Sequence, residues 1–227
     1  MPAPLSILIP TLDAADDLPA CLNALMPGLE TGLIRDVVLA DGGSRDATRQ
    51  IGDDAGCTVI DAPRGRARQM NAAAETARGA WYLFLHADTV LSPDWAERVL
   101  EHMAAHPSQA AVFTLAFRSD APEARWLAAR ANRRTRWLAL PYGDQGLLIS
   151  ASLFQAMGGF ENVDLMEDVI MVRRLGRQRL RLLSAVARTS AAKYERDGWR
   201  RRAYGNAWRL VRFLAGTRPD VLARTYR

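Results

Sequence analysis

The sequence predicts an α/β protein with a mostly parallel central sheet and helices on both faces. Short apolar runs alternate with segments that carry apolar residues at helical spacing. The run 81–85 lacks polar alternation, as a strand does when helices cover both faces of its sheet. Because 49% of the 227 residues are hydrophobic, the chain can bury a core as one domain with an appendage.

Six apolar runs are the predicted strands, and they lie at residues 5–10, 37–40, 57–60, 81–85, 110–117 and 147–150. Pro10 ends the first run, and a glycine turn that begins at Asp41 follows the second. Cys57 in the third run and Cys21 in the first predicted helix are expected to be small core residues. Two cysteines without a C-x-x-C spacing indicate neither a disulfide framework nor a zinc site.

Helices are predicted between these strands. Gly65 opens an alanine-rich helix over 66–78, and Gly79 is placed to end it. Ser44 and Ser92 are placed to cap the helices that follow them. The other helices are expected at about 18–26, 93–103, 122–140 and 169–177, with one more that ends at 158–159.

The net charge of +5 hides an asymmetry between the two halves of the chain. Residues 1–117 hold 8 basic and 15 acidic side chains, whereas residues 118–227 hold 22 basic and 10 acidic ones. Lys193 is the one lysine, so arginine supplies nearly all of the positive charge. Two explanations stay open, namely genome composition and the suitability of arginine for bidentate phosphate recognition.

Several classes of protein are excluded by missing sequence features. No apolar run reaches the roughly 18 residues of a membrane span, and the N-terminal residues lack the basic segment of a signal peptide. A cytoplasmic location is therefore expected. Neither G-x-G-x-x-G nor G-x-x-x-x-G-K-[ST] follows the first predicted strand, so an ordinary dinucleotide site or P-loop is not expected.

Polar side chains follow three predicted strands at their carboxyl ends, and these are Thr11 with Asp13, Asp41, and Asp88. Ligands of open α/β sheets bind just beyond such ends, so Asp88 is the first candidate for metal or phosphate chemistry. The alternative is that Asp88 caps the next helix, although Ser92 is also placed to do so. Glu167 and Asp168 open a predicted helix whose dipole stabilises carboxylates, so a structural role for them also stays open.

The tail from Thr189 contains a basic amphipathic helix. Trp208, Val211 and Leu214 fall at helical spacing with arginines alongside. Three uses stay open: contact with an anionic membrane surface, contact with phosphates, and packing on the domain with the arginines in solvent.

Five motifs occur in one order, and they are Ser6-Ile-Leu-Ile-Pro-Thr11, Asp41-Gly-Gly-Ser-Arg-Asp-Ala-Thr48, Arg64-Gly-Arg-Ala-Arg-Gln-Met-Asn71, Leu85-His-Ala-Asp88 and Glu167-Asp168. In order and spacing they resemble the inverting glycosyltransferases of family 2, which have the GT-A fold. The resemblance covers about residues 4–185, and the Tyr142-Gly-Asp-Gln-Gly146 turn looks like that of a short soluble bacterial subgroup. It implies a glycosyltransferase domain over 1–188 and a basic helical tail over 189–227 that packs on or covers the active site.

The resemblance implies how a nucleoside-diphosphate sugar is bound. The first two strand ends hold the nucleotide, which maps onto Thr11, Asp13 and Asp41, and Arg66 reaches the diphosphate. Asp88 maps onto the acid that holds a divalent cation, Mn²⁺ or Mg²⁺, on the diphosphate. Such a cation neutralises the charge that develops on the leaving group. UDP is favoured over GDP as the nucleotide.

The resemblance also implies the catalytic groups. Asp168 is the expected general base, with Glu167 as its neighbour, and one sugar is transferred with inversion. Asp144 and Gln145 lie where an acceptor hydroxyl is gripped, unless they only stabilise their own turn. The acceptor is unidentified, and a lipid-linked acceptor with peripheral contact of the tail at the inner face of the membrane stays open.

Two departures from the family pattern and a candidate lid complete the prediction. Ala14 replaces the usual glutamate after the first strand, and His86 replaces the first acid of the Asp-x-Asp motif. Tyr194, Arg196 and Trp199 are the candidates for a C-terminal lid over the diphosphate.

Two other functions were weighed against this one. A nucleic-acid-binding module would use the basic second half with its tryptophans, but it leaves the acidic strand ends without a purpose, so no nucleic acid is expected. A sugar-phosphate nucleotidyltransferase would have a glycine-rich loop after the first strand, and residues 10–15 contain no glycine.

Overall fold

A computed structural model describes residues 3–223 of the chain. Its strands are β1 (Leu5–Thr11), β2 (Ile34–Asp41), β3 (Thr58–Asp61), β4 (Trp81–Phe84), β5 (Thr89–Leu91), β6 (Ala110–Phe117), β7 (Leu147–Ser150) and β8 (Leu180–Thr189). They form one sheet in the order β3-β2-β1-β4-β7-β6-β8-β5.

The helices lie between and after these strands. They are α1 (Leu18–Asn23), α2 (Met26–Glu30), α3 (Thr48–Asp54), α4 (Arg66–Thr76), α5 (Trp95–Ala105), α6 (Pro122–Leu138), α7 (Ala151–Ala156), α8 (Glu167–Leu175), α9 (Ala192–Asp197), α10 (Trp199–Leu214) and α11 (Pro219–Ala223). Short 3₁₀ turns occur at Gly143–Gln145 and Arg177–Arg179.

The sheet is mixed, with parallel pairing predominant. The pairs β1–β2, β1–β4, β2–β3 and β6–β8 are parallel, whereas β4–β7, β6–β7 and β5–β8 are antiparallel. Adjacent residues of β1 enter different cores, since Ile7 packs with α1 and α5 on one face and Leu8 packs with α4 and α8 on the other. The predicted α/β fold with helices on both faces is therefore confirmed.

Local details differ from the prediction. Ser44 does not cap α3, which begins at Thr48, and Ser92 does not cap α5, which begins at Trp95. The Ser92 hydroxyl instead donates to the Asp94 carboxylate and accepts a hydrogen bond from Val186 N, which ties α5 to β8.

The helix expected over 66–78 ends earlier than predicted. It stops at Thr76, and Gly79 lies beyond it in the turn before β4. A Cβ at Gly79 would lie 2.6 Å from Ser6 N, so glycine is needed there for close approach of two backbones, not for a helix end.

Two strands were not predicted, and both lie at one edge of the sheet. β8 pairs with β6 and β5, and β5 contains only three residues. The tail contains α9, α10 and α11, and Leu210 and Leu222 of this segment pack on Met166 and Val169. Residues 224–227 of the predicted tail lie outside the described residues. Within residues 3–223, no helix combines the length and the hydropathy needed to cross a membrane.

Candidate active site

A hydrogen-bond network around Asp41 joins the loops that follow β1 and β2. Asp41 is 1% exposed, and its carboxylate accepts hydrogen bonds from the hydroxyls of Thr11 and Ser44 and from the backbone N–H groups of Gly43 and Ser44. Burial raises the pKa of Asp41, but these hydrogen bonds outweigh burial and hold it below the ordinary value. Asp41 therefore holds the two loops together through hydrogen bonds, and it has little exposed surface for contact with a ligand.

Asp13 lies at the surface beside this network. Its backbone is left-handed (φ 47°), its Oδ1 accepts a hydrogen bond from Arg45 N at 2.8 Å, and its own N–H donates to Ser44 Oγ at 2.9 Å. Asp46, which was not among the predicted site residues, accepts a hydrogen bond from Ala15 N at 3.0 Å. These contacts fix the loop after β1 against the loop after β2.

Two connected clefts open beyond the carboxyl ends of β1 and β4. The strand-end cleft has a volume of about 460 Å³, and its lining includes Thr11, Asp13, Arg64, Arg66, His86, Asp88 and Lys193. The central cleft has a volume of about 160 Å³, and its lining includes Arg66, His86, Asp88, Asp144, Glu167, Asp168, Lys193, Tyr194 and Arg202. Arg66, His86, Asp88 and Lys193 line both clefts, so one ligand can occupy the two together.

Asp88 and His86 are the candidate metal ligands. Asp88 lines both clefts, and its Oδ1 accepts long hydrogen bonds from the hydroxyls of Thr89 (3.4 Å) and Thr189 (3.3 Å). Burial lowers the pKa of His86 well below its ordinary value, and the charges of Arg66 and Lys193 lower it further. His86 is therefore a neutral imidazole with a lone pair available.

These ligands fit a cation only if the substrate completes its coordination. Among residues 3–223, no group of three or more His, Cys, Asp or Glu side chains is arranged to hold a metal ion. Magnesium is commonly bound by one or two carboxylates together with substrate phosphates, and Asp88 supplies one such carboxylate. The His86 imidazole is a ligand of the kind that transition-metal ions accept.

The start of α8 brings Glu167 and Asp168 into the central cleft. Met166 precedes them in the left-handed region (φ 70°). Glu167 is 1% exposed, and its Oε1 lies 3.1 Å from Arg66 Nη1. Burial and the neighbouring Asp168 charge raise the pKa of Glu167 to about 7, although Arg66 opposes the rise.

Asp168 is held by two backbone N–H groups. Its Oδ2 accepts a hydrogen bond from Gly143 N at 2.6 Å, and its Oδ1 accepts one from Val169 N at 2.7 Å. A Cβ at Gly143 would lie 2.9 Å from His86 Nε2 and 3.4 Å from Asp168 Oδ2. The absence of a side chain at Gly143 therefore lets its backbone lie close to both His86 and Asp168, a role that was not predicted for it.

The two predicted acceptor residues, Asp144 and Gln145, have different surroundings. Gln145 is fully buried, and its amide accepts a hydrogen bond from Thr135 Oγ1 and donates one to Phe113 O, so it supports the turn and does not face a ligand. Asp144 lines the central cleft, and its Oδ1 is buried with no hydrogen-bond partner among the described residues. Burial raises the pKa of Asp144 to about 6, and Asp168 adds to the rise while Arg134 opposes it.

The three lid candidates also have different surroundings. Tyr194 lines the central cleft and stacks on Trp199, with ring centroids 5.1 Å apart. Arg196 has a 72% exposed side chain that pairs with Asp197. The tail instead contributes Lys193 and Arg202 to the cleft, and the sequence analysis noted Lys193 only as the single lysine.

The sheet has the GT-A fold, as comparison with solved structures confirms. The structure is similar to S. aureus TarS 1–349, with a TM-score of 0.64 and 17% identity over 92% of this chain and 64% of that one. It is also similar to glucosyl-3-phosphoglycerate synthase from Mycobacterium tuberculosis in complex with Mn²⁺, UDP and glucosyl-3-phosphoglycerate. That match has a TM-score of 0.62 and 15% identity over 89% of this chain and 77% of that one.

The chain belongs to glycosyl transferase family 2, whose sequence model matches residues 6–160. It is also 38% identical over 115 residues to the PGL/p-HBAD biosynthesis glycosyltransferases of Mycobacterium bovis and Mycobacterium tuberculosis. That match spans 47% of this chain and 44% of the relative, so the chain spans less than half the length of the curated relatives it matches.

Proposed function

We propose that the protein transfers one sugar from a UDP-sugar to an acceptor hydroxyl, with inversion at the anomeric carbon. The observation that carries the proposal is the position of Asp168. Two backbone N–H groups hold its carboxylate in the same cleft that Asp88 and the basic side chains line. The choice of UDP is supported by the UDP and UDP-GlcNAc complexes of S. aureus TarS and the UDP complex of the mycobacterial synthase.

In this reaction Asp168 accepts the proton of the acceptor hydroxyl as the oxygen attacks the anomeric carbon. The bond from that carbon to the diphosphate oxygen breaks, and UDP leaves with the electron pair. Asp168 lies in the first turn of α8, where the helix dipole places partial positive charge beside its carboxylate. Glu167 is paired with Arg66 and lies deeper, so it positions Arg66 and leaves proton transfer to Asp168.

Donor binding is assigned to the strand-end cleft. Thr11 and Asp13 line the part nearest β1, and Asp41 holds their loop through hydrogen bonds. Arg66 and Lys193 line both clefts, and their positive charges would offset the negative charge of the diphosphate.

The bound cation, Mn²⁺ or Mg²⁺, would be held by Asp88 with His86, and it would supply positive charge to the departing diphosphate. The Mn²⁺ complexes of the mycobacterial synthase support this assignment. Tyr194, Arg196 and Trp199 stay the candidates for a lid within the proposed tail segment 189–227, which follows the proposed transfer domain 1–188.

Asp144 and Arg134 are assigned to the acceptor. Asp144 Oδ1 and Arg134 Nη2 are both buried without hydrogen-bond partners within the described chain, although each is costly to leave unpaired. Burial raises the pKa of Asp144 to about 6, and the opposing charge of Arg134 indicates that the two groups are neighbours. A hydroxyl that accepts from Arg134 and donates to Asp144 would satisfy both groups. This is the proposed acceptor contact.

The test compares Asp168→Asn with Asp164→Asn, which makes the same chemical change at a 62% exposed side chain in the loop that precedes α8. We expect Asp168→Asn to abolish UDP release from UDP-sugars while UDP still raises the melting temperature in the presence of Mn²⁺. Asp164→Asn should keep both properties. Retained turnover in Asp168→Asn would exclude Asp168 as the base.

The same melting experiment tests the donor and the cation. UDP, GDP, CDP and ADP are compared with and without Mn²⁺, beside Asp88→Asn and the exposed control Asp94→Asn. We expect a shift with UDP that Mn²⁺ increases and that only Asp88→Asn weakens. If no nucleotide shifts the melting temperature of the unaltered protein, the proposed function is wrong.

A further inference from the structure

The large exposed hydrophobic side chains of this protein are concentrated on two helices. Of the eleven such side chains within residues 3–223, seven lie on α6 or α10. Their exposed fractions range from 44% for Leu214 to 69% for Tyr204. The seven residues are Trp126, Trp137, Leu138, Tyr204, Trp208, Val211 and Leu214. We call the surface formed by these seven residues the α6/α10 face. A concentration of apolar surface of this kind marks a binding surface.

The outer side of α10 is apolar although another side of the helix is already packed. Leu210 and Phe213 contact Met166 in a core that also contains α11. Tyr204, Trp208 and Val211, which are spaced by four and three residues, form a separate stripe exposed to solvent. Packing on the domain explains why the side with Leu210 and Phe213 is apolar. It does not explain the exposed apolar stripe on the outer side.

A groove runs between the two helices and reaches the active site. Its volume is about 430 Å³, and Trp126, Trp137, Leu138, Tyr204 and Val211 contribute to its lining. Tyr142, Asp144, Tyr194 and Asn206 line both this groove and the central cleft. A molecule in the groove would therefore extend directly to Asp144, which lines both cavities.

The polar part of this surface is basic. Arg130 and Arg133 line the groove and are exposed, and Arg200 and Arg201 are exposed at the start of α10. Glu123 is the single acidic residue of α6, and α10 has none. Arginines around an apolar stripe that contains tryptophan are complementary to anionic headgroups over acyl chains.

We propose that the α6/α10 face docks on an anionic lipid bilayer and that the acceptor is an amphiphile presented from that bilayer. The second part rests on the proposed function, whereas the docking itself does not. Aliphatic Leu138, Val211 and Leu214 offer no stacking surface to nucleic-acid bases. A second copy of the chain would bring two arginine-rich faces together. A bilayer can bury the apolar stripe among its acyl chains and pair the arginines with its anionic headgroups.

The test is co-sedimentation of the full chain with vesicles of phosphatidylcholine alone or with 30% phosphatidylglycerol. We expect binding to the anionic vesicles that weakens as salt is raised. Trp137→Ser/Trp208→Ser should lower the partition coefficient at least tenfold, since both indoles are 63% to 65% exposed. Arg130→Gln/Arg133→Gln should lower it by about fivefold per arginine removed.

Control variants remove exposed apolar side chains or arginines elsewhere on the surface. Leu29→Ser/Leu100→Ser removes two exposed side chains from α2 and α5, and Arg35→Gln/Arg78→Gln removes two charges near the start of β2. Both controls should bind vesicles as the unaltered protein does. Each variant is also titrated with UDP and Mn²⁺ in the melting assay, which shows that it is folded.

Three results would overturn the docking proposal. The first is no binding of the unaltered protein to anionic vesicles at low salt, and the second is an equal loss in the controls. The third is that light scattering shows a dimer of the unaltered protein and a monomer of the Trp137→Ser/Trp208→Ser variant, while the unaltered protein does not bind vesicles. Vesicle binding without any nucleotide-dependent melting shift would contradict the proposed function and leave the docking proposal standing.

Discussion

Replacement of Asp144 by asparagine should stabilise the protein in a pH-dependent way. Burial raises the pKa of Asp144 from 3.8 to about 6. The folded state therefore binds this proton more tightly than the unfolded state, and stability falls as pH rises from about 4 to about 6. A difference of about 2 pKa units corresponds to at most about 3 kcal/mol. Because the asparagine side chain cannot ionise, the variant should match the unaltered protein below pH 4 and gain stability above pH 6.

Thermal unfolding at pH 4 and at pH 8 measures this effect. A full gain of about 3 kcal/mol would raise the melting temperature at pH 8 by about 6–12 °C for a chain of this size. Asp164→Asn, at a 62% exposed side chain, is the control and should show no such pH-dependent difference. If Asp144→Asn is no more stable than the unaltered protein at pH 8, then the buried charge is compensated and the reasoning is wrong. The same variant should lose transfer activity. The Asp144 carboxylate destabilises the folded protein, but it is also the group that is proposed to bind the acceptor hydroxyl.

Two further changes test the geometry of the central cleft. Gly143→Ala would place a Cβ 2.9 Å from His86 Nε2 and 3.4 Å from Asp168 Oδ2, so we expect turnover to fall at least tenfold while the UDP-dependent melting shift is kept. Loss of both would indicate misfolding of the turn. Arg66→Gln removes the positive charge that lowers the pKa of Glu167, so this pKa should rise above about 7. The same variant should bind UDP more weakly. An unchanged pH profile of UDP release would contradict the expected rise in the pKa of Glu167.

The sheet and the strand ends were predictable because burial on both faces leaves a clear pattern in the sequence. β1 and β4 pair in parallel over Leu5–Leu8 and Trp81–Phe84, and these are uninterrupted apolar runs apart from Ser6. Asp88 follows β4 as expected. β8 was missed because it has solvent on part of one face and carries Arg181 and Arg188, so its pattern is not that of a buried strand. Three residues, the length of β5, are too few for a periodicity to appear.

The candidate site was predictable in its residue types and less so in their roles. Asp41 and Gln145 are polar residues at motif positions, but each is almost fully buried with its polar atoms paired. A sequence does not distinguish a carboxylate that holds a loop from one that faces a ligand, since both occur at strand ends. Gly143 illustrates the converse, because its contribution is the space left by a missing side chain. The Tyr142-Gly-Asp-Gln-Gly146 motif was the available signal for it.

The central cleft takes charged side chains from both halves of the chain. The first half supplies Arg66 and Asp88, and the second half supplies Asp144, Glu167, Asp168, Lys193 and Arg202. Compared with a site that has two carboxylates before the diphosphate, His86 removes one negative charge, since the lowered pKa of its imidazole keeps it neutral. Fewer negative charges and more positive ones reduce the need for a cation to offset the charge of the diphosphate. We therefore expect UDP to bind measurably without Mn²⁺, more weakly than with it.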